Sequence, residues 1–304
     1  MKEIVEAHGG KKVYVYCWDK VREPKAMVQI FHGMGEHAGR YKEFAEYLNK
    51  HGYLVYASDH RGHGKTAGSV ENLAYIGEDG FNAIIEDKHL IFQQMRKEHP
   101  ELPMILIGHS FGSFLSQEYI TKYANELKGV ALLGSAAQKG LKIHAGYMIA
   151  AIGRSIFGEK RQSSFMDFLS FRNFNNRFKS DKSKHAWICS DMDVVKKYEE
   201  DPFCGGVSTI GFYYYFLKAL KNLYKQERLD KIPKGLPIYI AAGEEDPVGE
   251  YSKSVYNLFK IYKEFGINDV KLKLYSKMRH EILNEVNKKQ VFKDLLDWLN
   301  TYTK

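Results

Sequence analysis

An apolar run, Pro103 to Ile107, passes through Gly108-His109-Ser110-Phe111-Gly112 into a helix-like run, Phe111 to Leu127. A strand that turns through G-x-S-x-G straight into a helix is the nucleophile-elbow pattern. It demands small flanking residues, because the serine backbone is strained and a Cβ on either side would clash. In return the hydroxyl is exposed at the carboxyl edge of a sheet. The free N–H groups and positive dipole end of the new helix face a developing oxyanion. The same letters also arise by chance as a Gly/Ser loop entering a helix, so the meaning of the motif depends on its partners.

The elbow lies inside an alternation of strand and helix patterns. Lys11–Trp18, Ala26–Phe31, Tyr53–Ser58, Pro103–Ile107 and Gly129–Leu133 read as strands. Arg40–His51, Gly80–His99 and Phe111–Leu127 read as helices. The rhythm returns with a strand at Leu236–Ala241, a helix at Glu250–Phe265, a strand at Asp269–Tyr275 and a helix at Asn287–Tyr302. Such alternation predicts an α/β fold, a mostly parallel sheet with helices on both faces. Residues 137–229 break the rhythm. They are rich in Phe, Tyr, Ser, Asn and Lys, with helical patches at Ile143–Ile156, Asp193–Glu200 and Thr209–Lys225. The expected organisation is a core of residues 1–136 and 230–304, with 137–229 inserted and folded over it. The alternative for that insertion is an irregular helical subdomain with no part in chemistry.

A serine hydroxyl needs a histidine base, and the base needs an acid to fix its tautomer. On this architecture the chain order is Ser, Asp/Glu, His. Asp246 follows the strand Leu236–Ala241 in Gly243-Glu244-Glu245-Asp246-Pro247, with Glu244 and Glu245 as local rivals. His280 lies between the last strand and the last helix, and of twelve histidines it is the only one beyond residue 185. The oxyanion would take N–H groups from Phe111 and from Met34, in the glycine-rich His32-Gly33-Met34-Gly35-Glu36-His37 after the strand ending at Phe31. In Asp59-His60-Arg61-Gly62-His63-Gly64-Lys65-Thr66, the last three residues imitate a P-loop tail. The glycine needed five positions before Gly64 is Asp59, so no phosphate cradle is expected. His60 and His63, with His32 or His37, could instead ligate a metal. The preferred expectation is structural: Asp59 and Arg61 pair with nearby polar groups and brace the Met34 loop.

The 304 residues carry a net charge of +8. Nine Lys/Arg against three acids in residues 137–183 concentrate +6 of it in the insertion, which argues against a nucleic-acid surface over the whole protein. No apolar run approaches the ~20 residues of a membrane span. The charged Met1-Lys2-Glu3-Ile4-Val5-Glu6 has no apolar h-region, so no signal peptide is expected. Cys17, Cys189 and Cys204 are an odd number without metal-like pairing, which points to a reduced, cytoplasmic setting.

His32-Gly33-Met34-Gly35-Glu36-His37 followed by Arg40-Tyr41 resembles the monoacylglycerol lipase and lysophospholipase group of α/β-hydrolases, which is serine aminopeptidase S33-like. Asp59 to Gly64, Gly108 to Gly112, Gly243 to Gly249 and Arg279 to Glu285 match it in the same order. Asp201-Pro202-Phe203-Cys204-Gly205-Gly206 looks like a segment of related lysophospholipases. The resemblance implies a Ser110/Asp246/His280 triad, Met34 and Phe111 as oxyanion donors, and a cap at 137–229 that shapes an acyl pocket. His32, Gly33, Gly35, Glu36, His37, Asp59, Arg61 and His109 would support the site without reacting, and no cofactor or metal is implied. The family's elbow usually reads G-H-S-M-G-G, whereas here Phe111 and Ser113 replace Met and the second Gly.

The expected activity is hydrolysis of lipid-like carboxyl esters, monoacylglycerols or lysophospholipids, through an acyl-enzyme. Short-chain esters or aminopeptidase substrates are the alternatives within the fold. A metal-dependent hydrolase and a non-catalytic binding protein are the alternatives from other classes. The partner is a small ester or lipid, and nothing in the sequence fixes the number of subunits. In the cap, Tyr147, Met148, Ile149, Ile152, Ile156 and Phe157 could form an apolar helix face. Phe165, Phe168, Phe171, Phe174 and Phe178 add aromatic residues among cations. They would either touch an anionic membrane peripherally or pack onto the core and line the acyl tunnel.

Overall fold

The computed structural model describes residues 2–303. Eight strands form one sheet: β1 (Lys2–Glu6), β2 (Lys12–Trp18), β3 (Ala26–Phe31), β4 (Tyr53–Ser58), β5 (Met104–His109), β6 (Gly129–Leu133), β7 (Ile238–Gly243) and β8 (Val270–Tyr275). Their spatial order is β1-β2-β4-β3-β5-β6-β7-β8. The β1/β2 and β2/β4 pairs are antiparallel, and every later pair is parallel. β3 to β7 are buried along their whole length, as strands covered on both faces must be.

Side-chain alternation sorts the two cores. Tyr53, Val55 and Ala57 of β4 join the core under α1 (Lys42–Asn49), while Leu54 and Tyr56 face the opposite one. That second core packs α2 (Gly80–Glu98) and α3 (Phe111–Tyr123). Between β6 and β7 come α4 (Leu141–Phe157), α5 (Ser164–Phe171), α6 (Met192–Glu200), α7 (Ile210–Leu223) and α8 (Gln226–Leu229). α9 (Lys253–Glu264) joins α2 and α3, and α10 (Lys288–Tyr302) joins α1. Among the described residues no helix is long and apolar enough to cross a membrane.

Several boundaries differ from expectation for identifiable reasons. Residues 38–41 form a 3₁₀ turn ahead of α1, capped by the His37 ring, which accepts the Gly39 N–H. α9 starts late because Glu250, Tyr251 and Ser252 all take positive φ, with Tyr251 N–H bonded to the Asp246 carbonyl. β1, an edge strand with charged residues, and α5, capped by Ser163 on the Met166 N–H, have no sequence counterpart above.

Candidate active site

Every parallel strand delivers its carboxyl end to one edge, and the elbow sits at its centre. Ser110 follows β5 with φ 50° and ψ −120°, a conformation costly for a residue with a Cβ. Its N–H donates to the Leu133 carbonyl at 2.9 Å, anchoring the turn on β6. A Cβ at Gly108 would meet the Gly112 carbonyl at 2.5 Å, and one at Gly112 would meet the His32 carbonyl at 2.5 Å. The two glycines are therefore what lets α3 leave β5 against the sheet. The unusual Ser113 is fully buried. Its Oγ lies 2.6 Å from the Ser110 carbonyl and 2.8 Å from the Ser135 hydroxyl, so its extra bulk is hydrogen-bonded into the elbow.

Asp246, in the turn after β7, and His280, after β8, come together although 34 residues separate them. His280 Nδ1 donates to Asp246 Oδ2 at 2.9 Å, and both side chains are buried. The other carboxylate oxygen accepts the Val248 N–H at 2.8 Å, which fixes the acid in place. Glu244 is exposed and does not make this contact. His280 stands beside the elbow: its carbonyl lies 3.2 Å from Nε2 of His109, the residue before Ser110. Among the described residues, the Ser110 hydroxyl and His280 Nε2 make no hydrogen bond. Among the described residues the backbone N–H groups of Met34 and Phe111 have no backbone acceptor.

The Met34 loop is held from below by Glu36. One oxygen accepts Gly33 N–H at 2.6 Å and the Tyr41 hydroxyl at 2.8 Å; the other takes Arg40 Nη1 at 2.7 Å. Arg40 also makes a two-pronged pair with Glu281, at 2.6 and 2.7 Å. Burial alone would raise the Glu36 carboxyl, but Arg40 and His109 outweigh it and hold it well below the usual range. His109 completes the group, with Nδ1 3.3 Å from Glu36 and Nε2 3.2 Å from the His280 carbonyl. A neutral ring could donate to only one of these. Burial opposes its charge, yet the Glu36 carboxylate raises its pKa above the ordinary histidine value. Two carboxylates, one guanidinium and one imidazole whose charged form Glu36 favours thus meet in a buried quartet beneath the site. Arg40, Tyr41 and Glu281 had no role assigned from sequence. Their signal was the i, i+4 spacing of Glu36 and Arg40 and the acid directly after His280.

The remaining residues divide. Asp59 accepts Ala38 N–H and Lys65 N–H, both at 2.8 Å, and so ties the end of the Met34 loop to the segment after β4. Arg61 is turned away from that loop and pairs with Asp87 of α2 at 2.6 Å. His32, His60 and His63 cluster, with the His32 and His60 rings stacked at 3.7 Å, but as hydrogen-bonded packing. His60 N–H donates to His32 Nε2, and His60 Nε2 donates to the His32 carbonyl, both at 2.9 Å. Burial keeps all three neutral, and lowers His63 to about 4. His63 stacks on Phe111, the residue after the elbow serine. His37, Asp201 and Cys204 bring ligand-type atoms within 4.8 Å. His37 Nδ1 accepts the Gly39 N–H, so its proton sits on Nε2 and is donated to Asp201 at 3.0 Å. This is a loop-to-cap tie in which both His37 ring nitrogens are engaged. Gly35 lies on the same seam, where its carbonyl accepts Gly205 N–H at 2.9 Å.

The sequence model of the serine aminopeptidase S33 family matches residues 22–287. The chain belongs to this family. A monoacylglycerol lipase of Mycolicibacterium smegmatis is 27% identical to it, over 96% of this chain and 94% of that protein. The human monoglyceride lipase is 26% identical, over 100% of this chain and 91% of its own length. A thermostable carboxyl esterase from Bacillus coagulans, solved with glycerol, superposes with a TM-score of 0.93 at 28% identity, covering 100% of this chain and 99% of that one. The S33 chain is thus an α/β-hydrolase of the monoacylglycerol lipase and esterase kind.

Proposed function

We propose that the protein is a serine hydrolase of lipid-like carboxyl esters, with monoacylglycerols or lysophospholipids as substrates. The observation that carries this reading is the buried Asp246–His280 pair beside the strained Ser110 elbow. Asp246 holds the His280 proton on Nδ1, leaving Nε2 to take the proton of the Ser110 hydroxyl. Ser110 Oγ attacks the ester carbonyl, and the Met34 and Phe111 N–H groups receive the oxyanion. His280 then passes the proton to the leaving alcohol, and water releases the acid from the acyl-enzyme. The buried quartet of Glu36, Arg40, Glu281 and His109 holds the oxyanion loop and the base loop in register.

The lipid preference rests on the cap. Met148, Ile152, Ile156 and Phe157 of α4 and Phe165 and Phe168 of α5 are exposed, with Lys142, Lys160, Arg161 and Arg172 around them. An apolar face ringed by cations suits peripheral contact with an anionic membrane, from a cytoplasmic setting. A short-chain carboxylesterase is the second reading, favoured by the close superposition on the Bacillus coagulans esterase. The deciding experiment is Ser110→Ala together with a substrate series. Turnover should fall by ~10⁴-fold or more with the fold intact, and a fluorophosphonate should label Ser110 in the native chain only. A chain-length series of monoacylglycerols, lysophospholipids and p-nitrophenyl esters then separates the two substrate classes. Retained turnover in Ser110→Ala would end the proposal.

A further inference from the structure

The cap reaches the base directly. Residues 186–189 and 279–281 lie side by side, joined on both sides of His280. Arg279 Nη1 donates to the carbonyls of Ala186 at 2.7 Å and Cys189 at 3.2 Å, and Glu281 N–H donates to the Ile188 carbonyl at 2.8 Å. Glu285 adds a third tie, accepting both Arg279 N–H at 2.8 Å and Ser190 N–H at 3.0 Å. Trp187 sits in the middle of this seam, opposite His280. The indole and imidazole centroids are 5.1 Å apart with the planes tilted by 42°. On its far side the indole stacks on Phe171 at 5.9 Å, the last residue of α5, and meets Phe174 edge-on at 4.9 Å. The backbone N–H of Trp187 donates to Asn175 Oδ1 at 2.9 Å.

We propose that Trp187 is a positioning residue for His280, a role that rests on the hydrolase reading above. Its ring holds the imidazole in line with Asp246. Its π face also stabilises the imidazolium that forms when Ser110 gives up its proton, because a cation within about 6 Å of an indole centroid is attracted by the ring quadrupole. The other groups around His280 are Asp246 from the β7 turn, His109 from β5 with its ring at 4.9 Å, and the flanking Arg279 and Glu281. Beyond His109 lie Glu36 and Arg40. Asp246 accepts the Nδ1 proton, and among the described residues Trp187 is the aromatic ring that the cap sets against His280. Phe171 braces that face from behind, so the position of α5 is felt at the base.

The test reads the direction of a pH shift: loss of a merely space-filling indole would admit water and move the acid limb to higher pH. On a water-soluble p-nitrophenyl ester, Trp187→Leu should lower kcat/KM by about 3- to 30-fold. It should also shift the acid limb to lower pH, because the imidazolium has lost a stabilising face. Trp187→Phe should fall between the two, and Phe171→Leu should move the limb in the same direction by less. A second readout needs no substrate. Protonated imidazole quenches a neighbouring indole, so native fluorescence should show an acid quenching step that both Trp187→Phe and His280→Gln abolish. An acid limb unmoved or moved to higher pH in Trp187→Leu, or a quenching step that survives His280→Gln, overturns the proposal. Failure of the hydrolase reading would show separately, as a Ser110 that resists fluorophosphonate while the fluorescence step persists.

Discussion

α4 and α5 turn Met148, Ile152, Phe165 and Phe168 to solvent, whereas the segment from Phe174 to Gly206 directs its polar groups at the core. Both belong to the stretch between β6 and β7, and they are built on different terms. The outer half rests on α7: Tyr147 stacks on Tyr214, and Arg154 lies over the Tyr214 ring. The inner half is bound to the loops after β3 and β8. Arg279 reaches Asp181 at 2.7 Å and covers the Phe178 ring, His37 holds Asp201, and Gly35 holds Gly205. Within this stretch, then, a half that offers apolar surface differs from a half tied to the loops of Gly35 and His280, and Phe171 stacked on Trp187 joins the two.

Breaking the inner half should have the largest effect. Arg279→Ala leaves Asp181 and two carbonyls without their partner, in a place where the guanidinium is nearly buried. Unfolding measurements should show a loss of about 2–4 kcal/mol. Because the base loop loses its tie to the cap, kcat/KM on a soluble ester should fall by up to ~10²-fold. A variant that keeps full kcat/KM would show that the inner half is not part of the site.

How much of this was legible beforehand follows from which interactions are local. The elbow, the parallel strands and the order Ser110, Asp246, His280 are written as short motifs and short apolar runs, and the observed elements fall within a few residues of them. The division of the cap was not legible. Phe165, Phe168, Phe171, Phe174 and Phe178 recur at helical spacing and read as one aromatic cluster. α5 stops at Phe171, and the five split. Phe165 and Phe168 face out, Phe171 and Phe174 support Trp187, and Phe178 lies buried under Arg279. What separates them is contact with Trp187, beyond the end of α5, and with Arg279, from the far end of the chain, which no periodicity encodes. The same holds for Arg61. Charge density placed it with the Met34 loop, while the buried carboxylate of Asp87 drew it to α2.

Acid should distinguish the halves with an intermediate effect. His63 packs on Phe111 and Phe212, and Phe212 belongs to α7, the seat of the outer half. Burial lowers its pKa to about 4, against ~6.5 when unfolded. Between these values the unfolded chain binds more protons, so stability is complete above pH ~6.5 and falls as the pH drops toward 4. The loss from this group should reach about 3 kcal/mol at most. His63→Gln, neutral throughout, should flatten the slope of stability against pH over that window. An unchanged slope would mean that His63 does not titrate on unfolding.

The outer half should yield the smallest effect on the enzyme itself and a selective one on its substrate. Ile152 and Phe165 are 56% and 61% exposed, so aspartates at both positions remove little buried contact. Stability should stay within about 0.5 kcal/mol, as for ordinary surface changes. Hydrolysis of a short water-soluble ester should stay within about twofold of the native rate, since both side chains lie mostly in solvent. On monoacylglycerol carried in anionic vesicles the rate should drop by ~10-fold or more. Two apolar side chains, each worth ~1.5–3 kcal/mol when fully taken out of water, are replaced by charges the surface repels. Native binding to those vesicles should weaken with added salt, as attraction through Lys142, Lys160 and Arg161 is screened. If the soluble and vesicle-borne substrates lose rate in equal measure, the outer half acts through the fold and not through the membrane, and the separation of the two halves fails.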